Sequence, residues 1–150
     1  MLQTNILFVD ETNNDRSILA EAYFNQGLRN EARAFSAGFL PATELDRHLY
    51  DVLREEGIMP DDYCPKPIDI FLQAYSPRID LIVGFSPTKE SFKLPIFPHH
   101  PPVIHLTIEP AQERGQVGGR KRAFRACFAD VKLVIDRAQA RGKLPSSKAA

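Results

Sequence analysis

Short runs of apolar residues along this chain alternate with segments in which apolar residues recur every three or four positions. A continuous apolar run at residues 6–9 is typical of a strand that is covered on both faces. Short segments rich in branched residues predict two further strands at residues 81–83 and 103–106. A further strand is predicted at residues 32–36, shortly before Gly38. The pattern therefore predicts four short strands spread over most of the chain.

Helical spacing follows the strands. The first predicted helix ends near Gly27, the second runs from a Thr43 cap to Gly57, a shorter one lies near residues 68–74, and a long amphipathic helix covers 124–138. The three longer helices each carry one apolar stripe. The stripes are Ile18, Leu19, Ala22 and Tyr23; Leu45, Leu49, Val52 and Leu53; and Phe124, Cys127, Phe128, Val131, Val134, Ile135 and Ala138.

Alternation of strands and helices is typical of an α/β fold with a parallel sheet. We predict a three-layer sandwich, in which a four-stranded parallel sheet carries helices on both faces. This domain is expected to cover residues 1–140, and the polar, low-complexity residues 141–150 are predicted to form a disordered tail. Ligands of such folds bind at the carboxyl ends of the strands.

Composition narrows the functional classes. The 150 residues contain 19 basic and 19 acidic side chains, and this balance gives no support to a nucleic-acid or membrane partner. No apolar run is long enough for a membrane span or a signal peptide, so a cytoplasmic protein is predicted. Cys64 and Cys127 do not suggest a disulfide framework. Oligomeric state stays open.

The loop after the first strand carries the most informative chemistry. Asp10, Asn13, Asn14, Arg16 and Ser17 lie between an apolar strand and a helix start, which is the layout of an anion-binding loop. Loop N–H groups and the Arg16 guanidinium would face an oxyanion. However, three carboxylates accompany this one guanidinium, namely Asp10, Glu11 and Asp15. The backbone pattern favours an anion, whereas the charges oppose one.

The spacing from Asp10 to Arg16-Ser17 resembles the Cys-x5-Arg-Ser loop of the low-molecular-weight tyrosine phosphatases and thioredoxin-coupled arsenate reductases. Further segments are similar to that family in the same order, at residues 35–38, 52–58, 79–83 and 108–111. The resemblance implies the family fold and places Glu109 at the position of the general acid. It also places Asp10 where the nucleophilic cysteine would be, and Asp15 where a second cysteine would be.

The resemblance implies catalytic positions at Asp10, Arg16 and Glu109, and anion-binding positions at Asn13, Asn14, Arg16 and Ser17. Because the nucleophile is replaced, we predict a binding or regulatory pseudoenzyme that recognises a protein partner or a small anion. The alternative is a divergent phosphatase or other hydrolase with Asp10 as nucleophile or base and Glu109 as acid. A structural alternative for Arg16 is an internal ion pair with Asp10 or Asp15.

No cofactor and no metal site are predicted. His99, His100 and His105 lack ligands at a known zinc spacing. A cation-dependent switch that uses Asp10 with Glu11 or Asp15 is a third functional possibility, because hard cations prefer carboxylate oxygens.

Overall fold

A computed structural model describes residues 4–27, 32–85, 93–115 and 118–145. The strands are β1 (Thr4–Asp10), β2 (Ala32–Gly38), β3 (Leu81–Gly84) and β4 (Val103–His105). The α-helices are α1 (Arg16–Gln26), α2 (Arg47–Glu55) and α3 (Gly119–Ala140). Single-turn 3-10 helices occur at Pro60–Asp62, Ile68–Leu72 and Ala111–Glu113.

The four strands form one parallel sheet in the order β2-β1-β3-β4. Leu7 in β1 pairs with Phe35 in β2 and with Ile82 in β3. This register brings the carboxyl ends of β1 and β2 together, since Asp10 pairs with Gly38. The predicted α/β fold with a four-stranded parallel sheet is confirmed.

The two faces of the sheet are covered differently. Ile6 and Phe8 of β1 point into a core shared with all three α-helices, and α3 packs on both α1 and α2. Leu7 and Val9, one residue out of phase, point to a smaller core that contains Phe71. Within the described residues, the 3-10 helix Ile68–Leu72 and extended segments cover this second face. The predicted helix near 68–74 is therefore a 3-10 turn.

Helix α2 begins later than the Thr43 prediction. Asp46 is its N-cap, and the Asp46 carboxylate accepts a hydrogen bond of 2.8 Å from the His48 N–H. The prediction was wrong because aspartate and threonine are both good caps and spacing alone did not separate them. Leu45 lies outside the helix but still packs against the larger core.

The basic run at the start of α3 faces α2. Arg120 pairs with Asp46 at 3.0 Å, and Lys121 and Arg125 both pair with Glu55, at 2.6 and 2.9 Å. These basic side chains therefore bind carboxylates of the same molecule. Exposed pairs of this kind contribute little individually, but together they orient α2 on α3.

The chain beyond α3 remains packed for several residues. Leu144 is buried in the larger core, and its N–H and that of Lys143 donate to the Ala138 carbonyl. Residues 141–145 of the predicted disordered tail therefore have a defined position, and 146–150 lie outside the described residues. None of the described helices combines the length and apolarity that a bilayer crossing demands.

Candidate functional site

The loop between β1 and α1 lies at the carboxyl end of the sheet, directly against the end of β2. Asp10 is the last residue of β1, and Arg16 is the first residue of α1. Three backbone hydrogen bonds of 2.7 to 3.2 Å bind the chain after β2 to this loop, from the N–H groups of Phe39, Leu40 and Ala42 to the carbonyls of Asp10, Glu11 and Thr12. The loop is thereby joined to the sheet on one side.

Asp10 is fully buried, and the loop's own N–H groups surround its carboxylate. The Asn13 N–H donates to Oδ1 at 2.7 Å, and the Ser17 N–H donates to Oδ2 at 2.9 Å. Both oxygens of Asp10 are thus engaged inside the protein. Two donors that would bind an external oxyanion are used by the carboxylate of the chain itself.

Burial changes the acidity of Asp10. Loss of solvation, followed by the charge of Asp15 and a hydrogen bond to Asp15, raises the pKa of this carboxyl to about 7. The Arg16 charge and the Ser17 N–H oppose this increase. Asp10 therefore holds a proton much more tightly than an exposed aspartate does.

Asp15 connects the loop with a distant segment. Its Oδ1 accepts from the Arg16 N–H as the N-cap of α1, and its Oδ2 accepts from the Ala111 N–H at 3.0 Å. Ala111 begins the 3-10 helix after Pro110. The Asp15 carboxylate therefore attaches the segment around residue 110 to the loop.

The Arg16 guanidinium is buried and bound by four groups of the chain. Nε lies 3.4 Å from Asp15 Oδ1, and Nη1 donates to the Phe85 carbonyl and, at 3.4 Å, to the Ile108 carbonyl. Nη2 forms an ion pair with the Glu11 carboxylate. Arg16 is therefore ion-paired within the protein, to Asp15 and Glu11, and the structure describes no direct salt bridge from it to Asp10.

The other predicted anion-binding residues also have internal partners. Asn13 has φ 52°, and its side chain donates to Ser17 Oγ at 2.7 Å and accepts from the Lys66 N–H at 3.0 Å. Asn14 Oδ1 accepts from the Asp46 N–H at 2.9 Å. These asparagines hold the loop in place, which agrees with the readiness of asparagine to adopt left-handed backbone.

Glu109 lies near the loop but does not reach it with its side chain. Its side chain is exposed, and it forms no hydrogen bond or ion pair with Asp10 or Arg16 in the described part of the chain. The neighbouring backbone makes the contacts instead, through the Ile108 carbonyl and the Ala111 N–H. The segment that the resemblance singled out therefore contacts the loop through its backbone, and the catalytic role of Glu109 stays a prediction.

Gly38 is a site residue that the sequence reasoning did not assign. A Cβ at this position would lie 2.7 Å from the Asn13 nitrogen and 2.9 Å from the Thr12 carbonyl carbon. Only glycine allows the loop to approach β2 this closely. The available signal was a glycine at the predicted end of a strand that neighbours β1.

Cys127 is close to the loop but unsuited to thiol chemistry. It is fully buried on α3, and burial, followed by the charge of Asp15, raises the pKa of its thiol to about 12. The thiolate is the reactive form, so Cys127 is expected to be inert at neutral pH. The exposed Cys64 follows the 3-10 helix Pro60–Asp62.

The described residues hold no cluster of metal-ligating side chains at the loop, and one pocket borders it at Gly38 and Phe39. Among the described residues, no group of three or more His, Cys, Asp or Glu side chains is placed to hold a metal ion. Five surface pockets on the described chain are lined by other residues than Asp10, Arg16 and Glu109. Within the described residues, the carboxylates of Asp10 and Asp15 and the guanidinium of Arg16 are bound by groups of the chain itself.

Comparison with protein families gives one match. Residues 5–91 match the model described as low molecular weight phosphotyrosine protein phosphatase. These residues contain the loop, α1, β2, α2 and β3. No curated protein matches the chain significantly.

Solved structures of similar proteins cover nearly the whole chain. An arsenate reductase from Archaeoglobus fulgidus is 28% identical with a TM-score of 0.61, and the match covers 87% of this chain and 98% of that one. A tyrosine phosphatase from Erwinia amylovora is 18% identical with a TM-score of 0.67 and 93% coverage of both chains. A thioredoxin-dependent arsenate reductase from Corynebacterium glutamicum is 19% identical with a TM-score of 0.62, and the match covers 93% of this chain but 63% of that longer one.

Proposed function

This chain belongs to the low molecular weight phosphotyrosine protein phosphatase family, and we propose that it is a binding or regulatory member without catalytic turnover. It would act by recognising a protein partner or a small anion through the surface around the Asp10 to Ser17 loop. The observation that carries this proposal is the state of Arg16, whose guanidinium is buried and bound by carboxylates and carbonyls of the chain itself.

The first support is the chemistry of Asp10. A carboxylate is a poorer nucleophile toward phosphorus than a thiolate, and both Asp10 oxygens accept backbone hydrogen bonds. Attack on a substrate would require a lone pair that points to solvent, whereas Asp10 has no exposed surface. Burial and these hydrogen bonds therefore argue for a structural role.

The second support is the charge of the loop. Glu11 and Asp15 oppose a single Arg16, and each unit of like charge at 4 Å costs a bound anion about 4 kcal/mol at an effective dielectric constant near 20. A phosphate dianion carries two negative charges, so its repulsion by each loop carboxylate is doubled. Arg16 offers little in return, because four of its five N–H groups are already engaged.

The rival proposal is a divergent phosphatase or other hydrolase that uses Asp10 with Glu109 as the acid. It requires Asp10 and Glu109 to face one substrate and Arg16 to be available to the substrate's oxygens. The exposed Glu109 side chain forms no described contact with Asp10, and Arg16 is engaged. The geometry therefore supports the rival less well.

The direct test is turnover of p-nitrophenyl phosphate by the purified protein, with and without Mg²⁺. We expect no hydrolysis above the background rate in either condition. Asp10→Asn is the control, because it keeps the size of the side chain and removes its nucleophilic oxygen. Hydrolysis by the natural protein that disappears in Asp10→Asn would overturn the proposal.

Asp10→Cys asks whether the nucleophile is the sole missing part. We expect this variant to be inactive as well, because Glu11 and Asp15 still bind Arg16 and still repel a dianion. Its activity toward p-nitrophenyl phosphate would be compared with that of Asp10→Ser, which has a weaker nucleophile. Hydrolysis by the cysteine variant alone would show that the loop remains competent to bind phosphate.

A further inference from the structure

The partners of Arg16 differ in how accessible they are. Asp15 has 9% of its side chain exposed, and the Phe85 and Ile108 partners are backbone carbonyls inside the fold. By contrast, the Glu11 side chain is 45% exposed, while that of Arg16 is 3% exposed. Glu11 is therefore the one partner that a molecule from solvent can replace without opening the core.

Exchange of this partner for another carboxylate keeps Arg16 paired. Nearly half of the Glu11 side chain is already exposed, so water can solvate its carboxylate when it leaves Arg16. Removing Asp15 or either carbonyl would instead leave buried polar groups without partners. The Glu11 contact is thus the most exposed of the four and the one in which another carboxylate can take the partner's place.

We propose that Glu11 is the internal occupant of a carboxylate-binding site on Arg16, and that a carboxylate group of another molecule binds there in its place. This inference rests on the proposed function and specifies the ligand class of the same loop. An acidic side chain or chain terminus of a protein, or a small carboxylic acid, has the required chemistry. Glu11 then competes with the ligand and lowers its affinity.

The same contacts favour a carboxylate over phosphate. Nε and Nη1 of Arg16 are held by Asp15 and by the carbonyls of Phe85 and Ile108, so Nη2 is the part of the guanidinium that faces Glu11. A carboxylate reproduces the Glu11 contact with one negative charge. A phosphate dianion carries two charges toward Asp15 and could not use the full fork of the guanidinium.

The test compares ligand binding by four ¹⁵N-labelled proteins. Binding is measured from the NMR chemical-shift changes of the loop amides and of Arg16 Nε. The natural protein, Glu11→Ala and Glu11→Gln would be titrated with acetate, a capped triglutamate peptide and inorganic phosphate at low ionic strength. Glu56→Gln is the matched control, because Glu56 is 40% exposed and also pairs with a cation, Lys132 at 2.9 Å. The three ligands separate a free acid, an acidic peptide and a phosphate.

We expect Glu11→Ala to bind acetate or the peptide at least about fivefold more tightly than the natural protein, the effect of one removed charge at 4 Å in water. Glu11→Gln should change in the same direction, and Glu56→Gln should match the natural protein. A gain for the peptide alone assigns the ligand to a protein, and a gain for both extends it to free acids. Equal affinities in Glu11→Ala and Glu56→Gln, or a larger gain for phosphate than for carboxylates, would overturn the inference.

Failure of this inference is distinguishable from failure of the proposed function. Hydrolysis of p-nitrophenyl phosphate by the natural protein would overturn the pseudoenzyme proposal whatever Glu11 does. Unchanged carboxylate binding in Glu11→Ala would overturn the inference that Glu11 competes with a ligand. It would not affect the proposal that the protein lacks catalytic turnover. If Glu11→Ala unfolds, Glu11→Gln decides, because its amide oxygen can still accept from Arg16 without a charge.

Discussion

At the scale of single residues, side chains of the loop supply the hydrogen-bond partners of its own backbone N–H groups. Asp10 and Asp15 accept N–H groups of the loop and of the helix start, and Glu11 and Asp15 neutralise Arg16. Buried polar groups need partners, and here the side chains of the same few residues supply them. These polar groups of the loop therefore have partners within the chain. A molecule that binds to them has to displace one of these internal partners.

Substitution of Asn13 tests how much these internal hydrogen bonds contribute to stability. Asn13→Ala removes the acceptor of the Lys66 N–H and the partner of Ser17 Oγ, and it places alanine at φ 52°. We expect the free energy of unfolding, measured in urea, to fall by about 2–4 kcal/mol from these combined losses. Asn13→Gly keeps the backbone freedom and loses the hydrogen bonds, so it should fall less. Equal stability of Asn13→Ala and the natural protein would contradict the role of this side chain.

At the scale of secondary-structure elements, the position of the loop depends on how closely it packs on β2. Gly38 provides the space, and Asn14 attaches the loop to the N-cap of α2 through the Asp46 N–H. Asp46 in turn binds Arg120 at the start of α3. Asp46 therefore links the loop to α2 and α3. A partner bound at the loop would lie against residues that are joined to both helices.

Gly38→Ala is expected to disturb this packing. The added methyl group would meet backbone atoms of Thr12 and Asn13, which cannot move away as a flexible side chain can. We expect a loss of about 1–3 kcal/mol in the free energy of unfolding, together with NMR shifts of the loop amides. Gly115→Ala is the matched control, because nothing lies within 4 Å of its added Cβ and its φ is not in the left-handed region. Unshifted loop amides in Gly38→Ala would argue against the close contact.

At the scale of the whole molecule, buried carboxyls shape the dependence of stability on pH. Burial raises the pKa of Asp10 to about 7 and also raises the pKa of Glu21, which bonds to Ser36 Oγ. Hydrogen bonds from Arg125 and Lys121 lower the pKa of Glu55 to about 2. The first two groups favour the folded state when they are protonated, and Glu55 favours it when it is ionised.

The free energy of unfolding should therefore fall as the pH rises from about 4 to about 7. A raised pKa means that the folded state binds the proton more tightly, so this contribution is complete below the unfolded pKa near 4 and is lost as the pH passes the folded value. One such group gives a slope of up to about 1.4 kcal/mol per pH unit. Urea unfolding at constant ionic strength measures it, and Asp10→Asn should reduce the slope. Stability that rises steadily over this range would contradict the prediction.

The sequence by itself determined the order of the elements and the location of the loop. Short apolar or branched segments marked β1, β3 and β4 to within a few residues, and residues 6–9 of β1 are apolar because both faces of this strand are buried. The loop from Asp10 to Ser17 was recognisable because its residues are mostly polar and connect an apolar strand to a helix. Sequence patterns over a few residues predict strands and helices because residues that are close along the chain belong to the same secondary-structure element.

The tertiary structure alone decided what the loop residues do. Sequence offered Asp10 or Asp15 as the internal partner of Arg16. The fold paired Arg16 with Asp15 and also with Glu11, and it buried Asp10 among backbone N–H groups. The remaining Arg16 partners, at Phe85 and Ile108, are 69 and 92 residues away along the chain. Such contacts involve backbone carbonyls, which every residue has, so no side-chain pattern could reveal them. Packing of the strand ends selects them, and it also gives the Asp10 carboxyl its raised pKa.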